Sequence, residues 1–249
     1  MSREPNRRTF LQTAGIALAG VPTAAAARGD DQHRVIEQAR RVRRRTGSVE
    51  RFREYLRARG FGVAGVDRTY TVRKGDVSTQ KLDEADLSIS ISLADACYGG
   101  GQYWADLYWD WADSDWDDGG EAPADIAGFH WDSQDWYVAD DDYYTDGAVS
   151  YRKSGPEGVA FDFDDSAGDG GDNHSCTCMV RTKDDSIDPY ARQVFADYIH
   201  TYSNVTISGV GISTSGLTVN LSDESEKWHT DTDQSGSRLV ISQGDAKTC

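Results

Sequence analysis

Strict alternation of apolar and polar residues constrains this fold more than any other feature of the sequence. Residues 87–93 read LSISISL and residues 103–111 read YWADLYWDW, so that every second side chain is apolar or aromatic. Alternation with a period of two is the pattern of a β-strand that buries one face. Both segments are therefore predicted to be strands, with Leu107, Trp109 and Trp111 turned to the core.

Short segments of strand character recur along the rest of the chain, separated by turns rich in Gly and Asp. They are residues 126–131, 148–152, 159–163, 178–182, 205–212, 217–221 and 238–242. Asp188-Pro189 is predicted to begin one inserted helix, because apolar residues follow at helical spacing between Val194 and Tyr202. The predicted fold class is mainly β: an antiparallel β-sandwich with one inserted helix and an N-terminal helical hairpin.

The first residues have the pattern of an export signal. Paired arginines in Asn6–Gln12 precede the apolar run Ala14–Val21 and the small residues Ala24–Ala27. Together these segments describe a signal that is removed, and the run is too short to span a membrane. The pattern resembles twin-arginine export signals, and that resemblance implies carriage of the folded protein across the cytoplasmic membrane. We therefore predict a signal peptide over residues 1–27 and a secreted mature chain without a membrane span.

Two basic helices are predicted directly after this signal. Apolar residues recur at three- and four-residue spacing in Gln32–Arg45, and Ser48 caps a second helix that ends at Gly60. Nucleic acid is one interpretation of the arginines in this 28–60 segment, but high salt weakens phosphate binding and the acidic domain 61–249 is a nearer partner. We expect a structural or autoinhibitory arm that folds back onto that domain, and no nucleic-acid partner.

Charge is segregated along the chain. Of the 26 Lys+Arg and 42 Asp+Glu, residues 1–75 hold 17 and 7, so the net charge of −16 comes from a strongly acidic remainder. The acids are 33 Asp and only 9 Glu. Together with the twin-arginine pattern, this composition resembles that of exported haloarchaeal proteins, which implies adaptation to molar salt. At that salt the screening length falls to about 3 Å, which largely removes self-repulsion. The 7 Phe, 7 Trp and 12 Tyr exclude a disordered acidic chain.

Four cysteines form an even set, as in many extracellular proteins: Cys97, Cys176, Cys178 and Cys249. Cysteines two positions apart in an extended chain bridge poorly, so we expect Cys176 and Cys178 to pair with Cys97 and Cys249 in an order that the sequence leaves open. A metal site of His174 with the two neighbouring cysteines is the alternative, but a single tight cluster is not typical of structural zinc.

Three asparagines head glycosylation sequons. They are Asn173, Asn204 and Asn220. In an exported protein each is a candidate glycan acceptor.

The polar face of the 103–111 strand alternates aromatic rings with carboxylates. Sugars stack on exposed aromatic rings, which present an apolar face and a polar tip, so this face is a candidate glycan platform. Two further tryptophans are predicted to extend it. The candidate ligand-binding residues are Trp104, Asp106, Tyr108, Asp110, Trp131 and Trp136. Core packing is the competing interpretation, because large aromatic residues dominate protein interiors.

Catalytic and metal-binding motifs are poorly matched. The Asp-rich turns Asp113–Asp117 and Asp162–Ser166 place glycine one position late for a helix-loop-helix calcium site. The sequence lacks G-x-S-x-G, H-E-x-x-H and a phosphate-binding glycine loop. Cys178 with His200 would be a nucleophile and base, but extracellular thiols are expected to be oxidised. Glycoside hydrolysis needs two carboxylates across a cleft. The sequence contains so many acidic residues that it does not identify a particular pair. We predict no metal or cofactor.

The sequence does not determine the oligomeric state, but it favours one class of function. It predicts a secreted, salt-adapted binding protein that contacts cell-envelope glycan or a surface protein. One alternative is an antimicrobial protein that resembles halocins, or an immunity protein, with a removable basic leader. Another is an extracellular glycan hydrolase.

Overall fold

The computed structural model describes residues 29–73, 84–97, 100–112, 125–164, 174–184, 186–201, 206–221, 227–230 and 238–246. The helices are α1 (Gly29–Thr46), α2 (Val49–Arg57) and α3 (Gln243–Ala246). The strands are β1 (Gly62–Arg73), β2 (Glu84–Asp95), β3 (Gln102–Trp111), β4 (Asp125–Trp131), β5 (Trp136–Thr145), β6 (Val149–Gly155), β7 (Gly158–Phe163), β8 (His174–Thr182), β9 (Gln193–Thr201), β10 (Ile207–Ser213), β11 (Gly216–Leu221), β12 (Lys227–His229) and β13 (Leu239–Ser242). Within these residues, no helix has the length and apolar character needed to cross a bilayer.

Two antiparallel sheets form the body of the protein. Sheet A has the order β1-β2-β3-β8-β5, and sheet B has the order β12-β9-β4-β7-β6, with β13 also paired to β9. Strands β10 and β11 form a separate hairpin, here called the β10–β11 hairpin. The predicted class, a mainly β antiparallel sandwich with N-terminal helices, is confirmed.

The main core lies between the two sheets. In the β2–β3 pair, Ile89 is opposite Trp109 and Ile91 is opposite Leu107, and all four side chains are fully buried. They pack against apolar residues of sheet B such as Phe161. The alternating pattern therefore predicted both the strands and the side that faces the core.

Each sheet has its outer face covered by a different hairpin. Helices α1 and α2, here called the helical hairpin, bury Ile36 and Phe52 against sheet A residues that include Trp104 and Met179. The β10–β11 hairpin buries Leu217 and its apolar neighbours against the outer face of sheet B. The protein therefore has four layers, and the central strands are buried on both faces.

Buried arginines hold the helical hairpin on sheet A. Both Arg43 and Asp106 are almost fully buried, and the guanidinium donates to the carboxylate through two nitrogens. Thr177 of β8 also donates to Asp106, at 2.7 Å. Arg53 forms a bidentate pair with Asp67 of β1, with distances of 2.7 and 2.8 Å. The basic arm therefore contacts the acidic domain of its own chain, as its charge led us to expect.

Another charged contact fixes the same hairpin at β5 and β8. Asp146 accepts from Arg40 at 3.0 Å, from Arg44 at 2.7 Å and from the hydroxyl of Ser175. Burial lowers the pKa of Arg40 from its ordinary value, although Asp146 and Asp106 oppose that shift. The net stabilisation from such buried ion pairs depends on good hydrogen-bond geometry, because each charge has lost its contacts with water.

The prediction of an inserted helix after Asp188-Pro189 is wrong, because Gln193–Thr201 forms strand β9. Residues Val194–Thr201 are nearly all buried, since β9 lies inside sheet B and both of its faces are covered. A strand with two buried faces loses its period-two pattern and can resemble a helix in sequence.

The prediction that Cys176 and Cys178 form disulfides with Cys97 and Cys249 is also wrong, because Cys176 and Cys178 are free thiols buried in the main core. They lie on the inner side of β8, and burial raises the pKa of both thiols. This makes Cys178 a poor nucleophile, because the reactive form is the thiolate. Cys249 lies outside the described residues.

Replacement of Arg43 by Ala tests the buried pair under the helical hairpin. The change leaves Asp106 buried without its counter-charge, so we expect a loss of about 3 to 5 kcal/mol in the free energy of unfolding. Arg41→Ala is the matched control on the same helix, because Arg41 pairs with Glu37 on the surface at 2.9 Å. It should cost no more than about 1 kcal/mol. Denaturant unfolding at constant high salt measures both, and equal losses would contradict the assignment.

Candidate functional site

The structure does not leave the predicted aromatic platform open. Trp104 is 1% exposed and contributes to the apolar cluster beneath the helical hairpin. Asp106 pairs with Arg43, whose guanidinium also lies 5.1 Å from the centre of the Tyr108 ring. The expected exposure of this face was therefore wrong, because the basic arm occupies it. Asp110, at the end of the same face, is half-buried.

The other residues predicted to bind ligand or glycan do not lie together at one site. Trp131 and Trp136 are fully buried in the core between the sheets and do not extend a surface. Asn220 is exposed on β11, and its glycosylation stays a prediction. Asn173 and Asn204 lie outside the described residues, as do Asp113–Asp117.

A concave site lies where the β10–β11 hairpin approaches the edge of sheet B. It is an open cavity of about 400 Å³. Its lining comes from the hairpin (residues 215–218), from β9 (Ile199), from β12 (Lys227 and His229), and from Arg238 next to β13. Cavities of this size accommodate small ligands or single groups of larger ones.

The charge of this lining is opposite to that of the protein as a whole. Lys227, His229 and Arg238 are basic, and no acidic side chain of the described residues lines the cavity, whereas the chain carries a net charge of −16. Lys227 donates to the carbonyl of Val219 at 3.2 Å, and Arg238 donates to that of Ser215 at 2.8 Å. Both cations are therefore fixed to the wall formed by the β10–β11 hairpin. Such a lining is suited to an anionic group.

A buried carboxylate lies behind this wall. Asp197 of β9 accepts from the backbone N–H of Leu217 at 2.8 Å, and its Oδ2 lies 3.5 Å from His229 Nε2 and 3.3 Å from His130 Nε2. Burial raises the pKa of Asp197, but the hydrogen bond from His229, the charges of both histidines and the Leu217 N–H together bring it below the ordinary value. We call Asp197, His130 and His229 the His–Asp–His array.

His130 joins this array to the turn of the β10–β11 hairpin. It is fully buried on β4, where its ring stacks on Phe195 at 4.9 Å. Nδ1 lies 3.2 Å from the carbonyl oxygen of Thr214, in the turn between β10 and β11. His130 and Asp197 therefore bind opposite ends of that turn, which positions residues 215–218 along the cavity.

A second buried carboxylate serves the interior of the sandwich. Asp125 accepts from Tyr198 Oη at 2.5 Å, from the Thr201 N–H at 3.0 Å and from His200 Nδ1 at 2.9 Å. His200 is almost fully buried, and its ring packs 5.2 Å from that of Trp111. This network satisfies polar groups at one end of the core, which is a structural role.

Metal coordination is not indicated in the described part of the chain. Among those residues, no group of three or more His, Cys, Asp or Glu side chains is arranged to hold a metal ion. The alternative site of His174 with Cys176 and Cys178 is not formed, since the His174 ring packs on Trp109 and Phe163.

Sequence reasoning missed the cavity because its residues are far apart in the chain. Asp197 is one of 33 aspartates and nothing in its neighbourhood distinguishes it. The histidines offered the better signal, because the chain has only 5. Two of them, His130 and His229, meet at one carboxylate.

No protein-family model and no curated protein matches the chain. Among solved structures, it matches the KRT10-binding region domain of the pneumococcal serine-rich repeat protein PsrP, with 8% sequence identity and a TM-score of 0.23. The match covers 72% of this chain and 98% of that domain. A TM-score this low does not show that the two proteins share a fold or a function.

Gly216→Ala tests the close approach of the turn to Asp197. Gly216 has φ of +138°, and a Cβ there would lie 2.9 Å from Asp197 Oδ2. We expect a loss of about 1 to 3 kcal/mol in the free energy of unfolding. Gly60→Ala is the matched control, because Gly60 also has a positive φ, of +85°, but a Cβ there would meet no atom within 4 Å, so its cost should be limited to backbone strain of about 1 kcal/mol. Equal effects of the two changes would refute the close approach.

Asp197→Asn tests the ionised carboxylate. The pKa of Asp197 is lowered in the folded protein, so its ionisation stabilises the fold above the ordinary carboxyl value and this contribution is lost as pH falls. The stability difference between the wild type and Asp197→Asn should therefore shrink on acidification. Thermal unfolding between about pH 3 and pH 7 measures it, and a pH-independent difference would show that the charge is not responsible.

Proposed function

We propose that this chain is a secreted, salt-adapted binding protein that takes an acidic saccharide of the cell envelope into the cavity beside the β10–β11 hairpin. The observation that carries the proposal is the basic lining of that cavity in a strongly acidic chain. The twin-arginine pattern of the first residues and the excess of Asp support export into a saline medium.

The solvent determines which contacts can provide affinity. At molar salt the screening length is about 3 Å, so long-range attraction contributes little. Direct hydrogen bonds from a cation to a carboxylate or sulfate persist, because partners in contact are screened less. Lys227 and Arg238, which the backbone of the β10–β11 hairpin already holds in place, are suited to such short-range contacts. Their fixed positions also reduce the entropy lost when a ligand binds.

The remaining lining fits a sugar better than an apolar ligand. Ser215 and Thr218, both exposed, add hydroxyl groups to this lining. Hydroxyl groups that donate and accept match the hydroxyls of a saccharide.

The packing of the helical hairpin supports its role as a permanent layer of the fold and does not support its role as a removable leader. Ile36, Phe52 and Leu56 are almost fully buried against sheet A. Removal of residues 28–60 would expose this apolar surface together with Asp106, at a cost that a cleavable segment does not normally impose. The antimicrobial alternative therefore receives no support from the packing of the basic arm.

Titration calorimetry at molar salt tests the proposed ligand class. The probes are a disaccharide that ends in glucuronate, its neutral glucose analogue, and a short peptide of aspartates. We expect binding of the glucuronate disaccharide alone. Thr218→Trp, which fills the cavity, should abolish that binding, whereas Thr69→Trp on an exposed position of β1 should not. Binding of the peptide alone would indicate a protein partner instead of a glycan. Binding that persists in Thr218→Trp would show that the ligand does not occupy the cavity.

Two lysines provide a matched test of the charge. Lys227 and Lys153 each donate to a carbonyl of the β10–β11 hairpin, but of the two only Lys227 lines the cavity. Lys227→Gln should weaken binding of the glucuronate disaccharide about tenfold or more, the usual effect of one charge-assisted hydrogen bond. Lys153→Gln should leave it unchanged. Equal affinities of the two variants would disprove a role for the Lys227 cation.

A further inference from the structure

The imidazole of His130 lies between two acceptors. Nδ1 is 3.2 Å from the carbonyl oxygen of Thr214, and Nε2 is 3.3 Å from Asp197 Oδ2. A carbonyl oxygen only accepts, and so does an ionised carboxylate. A neutral imidazole carries one N–H and can satisfy only one of them. The imidazolium form carries two N–H groups and a positive charge, so it can donate to the carbonyl through Nδ1 and pair electrostatically with the carboxylate at Nε2.

The same turn is bound at its other end by the carboxylate. The N–H of Leu217 donates to Asp197 Oδ2 at 2.8 Å. The turn therefore has one carbonyl on His130 and one N–H on Asp197, and these two side chains are paired to each other. Protonation of His130 completes this closed set of contacts, and loss of the proton opens it.

We propose that the His–Asp–His array is a pH-operated latch that holds the turn of the β10–β11 hairpin against sheet B in acid and loosens it as pH rises. The turn supplies residues 215–218 to the cavity wall, so the latch regulates the cavity. Only this regulatory consequence rests on the proposed function, because the latch itself involves no ligand.

Other charged groups around the array set the direction of the effect. His229 of β12 faces the same oxygen of Asp197 and also lines the cavity. Arg238 donates to the carbonyl of Ser215, which keeps part of the turn in place. Asp197 stays ionised because its pKa is lowered.

The sign of the pH dependence follows from these charges. A histidine that gains a carboxylate partner on folding stabilises the fold below its titration and loses that contribution as pH rises through it. Below the titration of Asp197 the latch fails for the opposite reason, because the carboxylate becomes neutral. The turn should therefore be held most firmly in mild acid, and an anionic ligand should bind more tightly there than in alkali.

Amide hydrogen exchange on the full chain without ligand tests the latch. Protection factors, which correct for the intrinsic pH dependence of exchange, are measured for the amides of residues 214–218 from about pH 5 to pH 9, the range that brackets ordinary imidazole titration. We expect protection of the Leu217 amide to fall about tenfold or more across this range. Amides of β2 and β3, in sheet A, serve as the internal reference and should not change.

Variants assign the effect to one histidine. His130→Gln should give a flat profile for the turn, while His229→Gln should keep the fall in protection and remove only part of any pH dependence of ligand binding. If His130→Gln does not fold, NMR titration of the His130 ring in the wild type replaces it, and its midpoint must coincide with the fall in protection. A pH-independent wild-type turn, or the same profile in His130→Gln, would overturn the latch. A pH-dependent turn in a protein that binds no acidic sugar would overturn the proposed function alone.

Discussion

The burial of Asp106 in the outer face of sheet A constrains the rest of the structure. A dry carboxylate in the middle of a sheet requires a counter-charge, and Arg43 of the helical hairpin provides it. The same face carries Ser92 and Thr177, whose hydroxyls bond to Arg53 and Asp106. The hairpin and the sheet are therefore complementary in hydrogen bonds as well as in apolar shape, and neither surface is satisfied without the other.

The two outer covers differ in what they leave accessible. The helical hairpin seals the aromatic face of sheet A, whereas the β10–β11 hairpin is only two strands wide and leaves a cavity at its turn. Charge follows the same division. Arginines of the helical hairpin are paired with Asp106, Asp146 and Asp67, while the basic residues at the cavity line a concave surface. Among the described residues, this basic concave surface at the edge of sheet B is where we propose that an anion binds.

Sequence patterns predicted elements wherever one face of a strand was polar. The serines of β2 and the alternation in β3 located both strands and their inward faces. The same patterns failed where a second layer covers a strand. The apolar residues of β9 occupy both faces, and the polar face of β3 lies beneath arginines from a distant segment. The meeting of His130, Asp197 and His229 depends on the pairing of β9 with both β4 and β12, which no local pattern encodes.

The central claim is that the basic cavity beside the β10–β11 hairpin is the contact surface of this protein. A crystal structure of the full chain grown at molar salt and soaked with the glucuronate disaccharide tests it most directly. The account predicts the carboxylate within hydrogen-bond distance of Lys227 and Arg238, at roughly 2.7 to 3.2 Å, with the sugar ring against residues 215–218. A saccharide bound elsewhere on the surface, with the cavity filled only by water and salt, would contradict it.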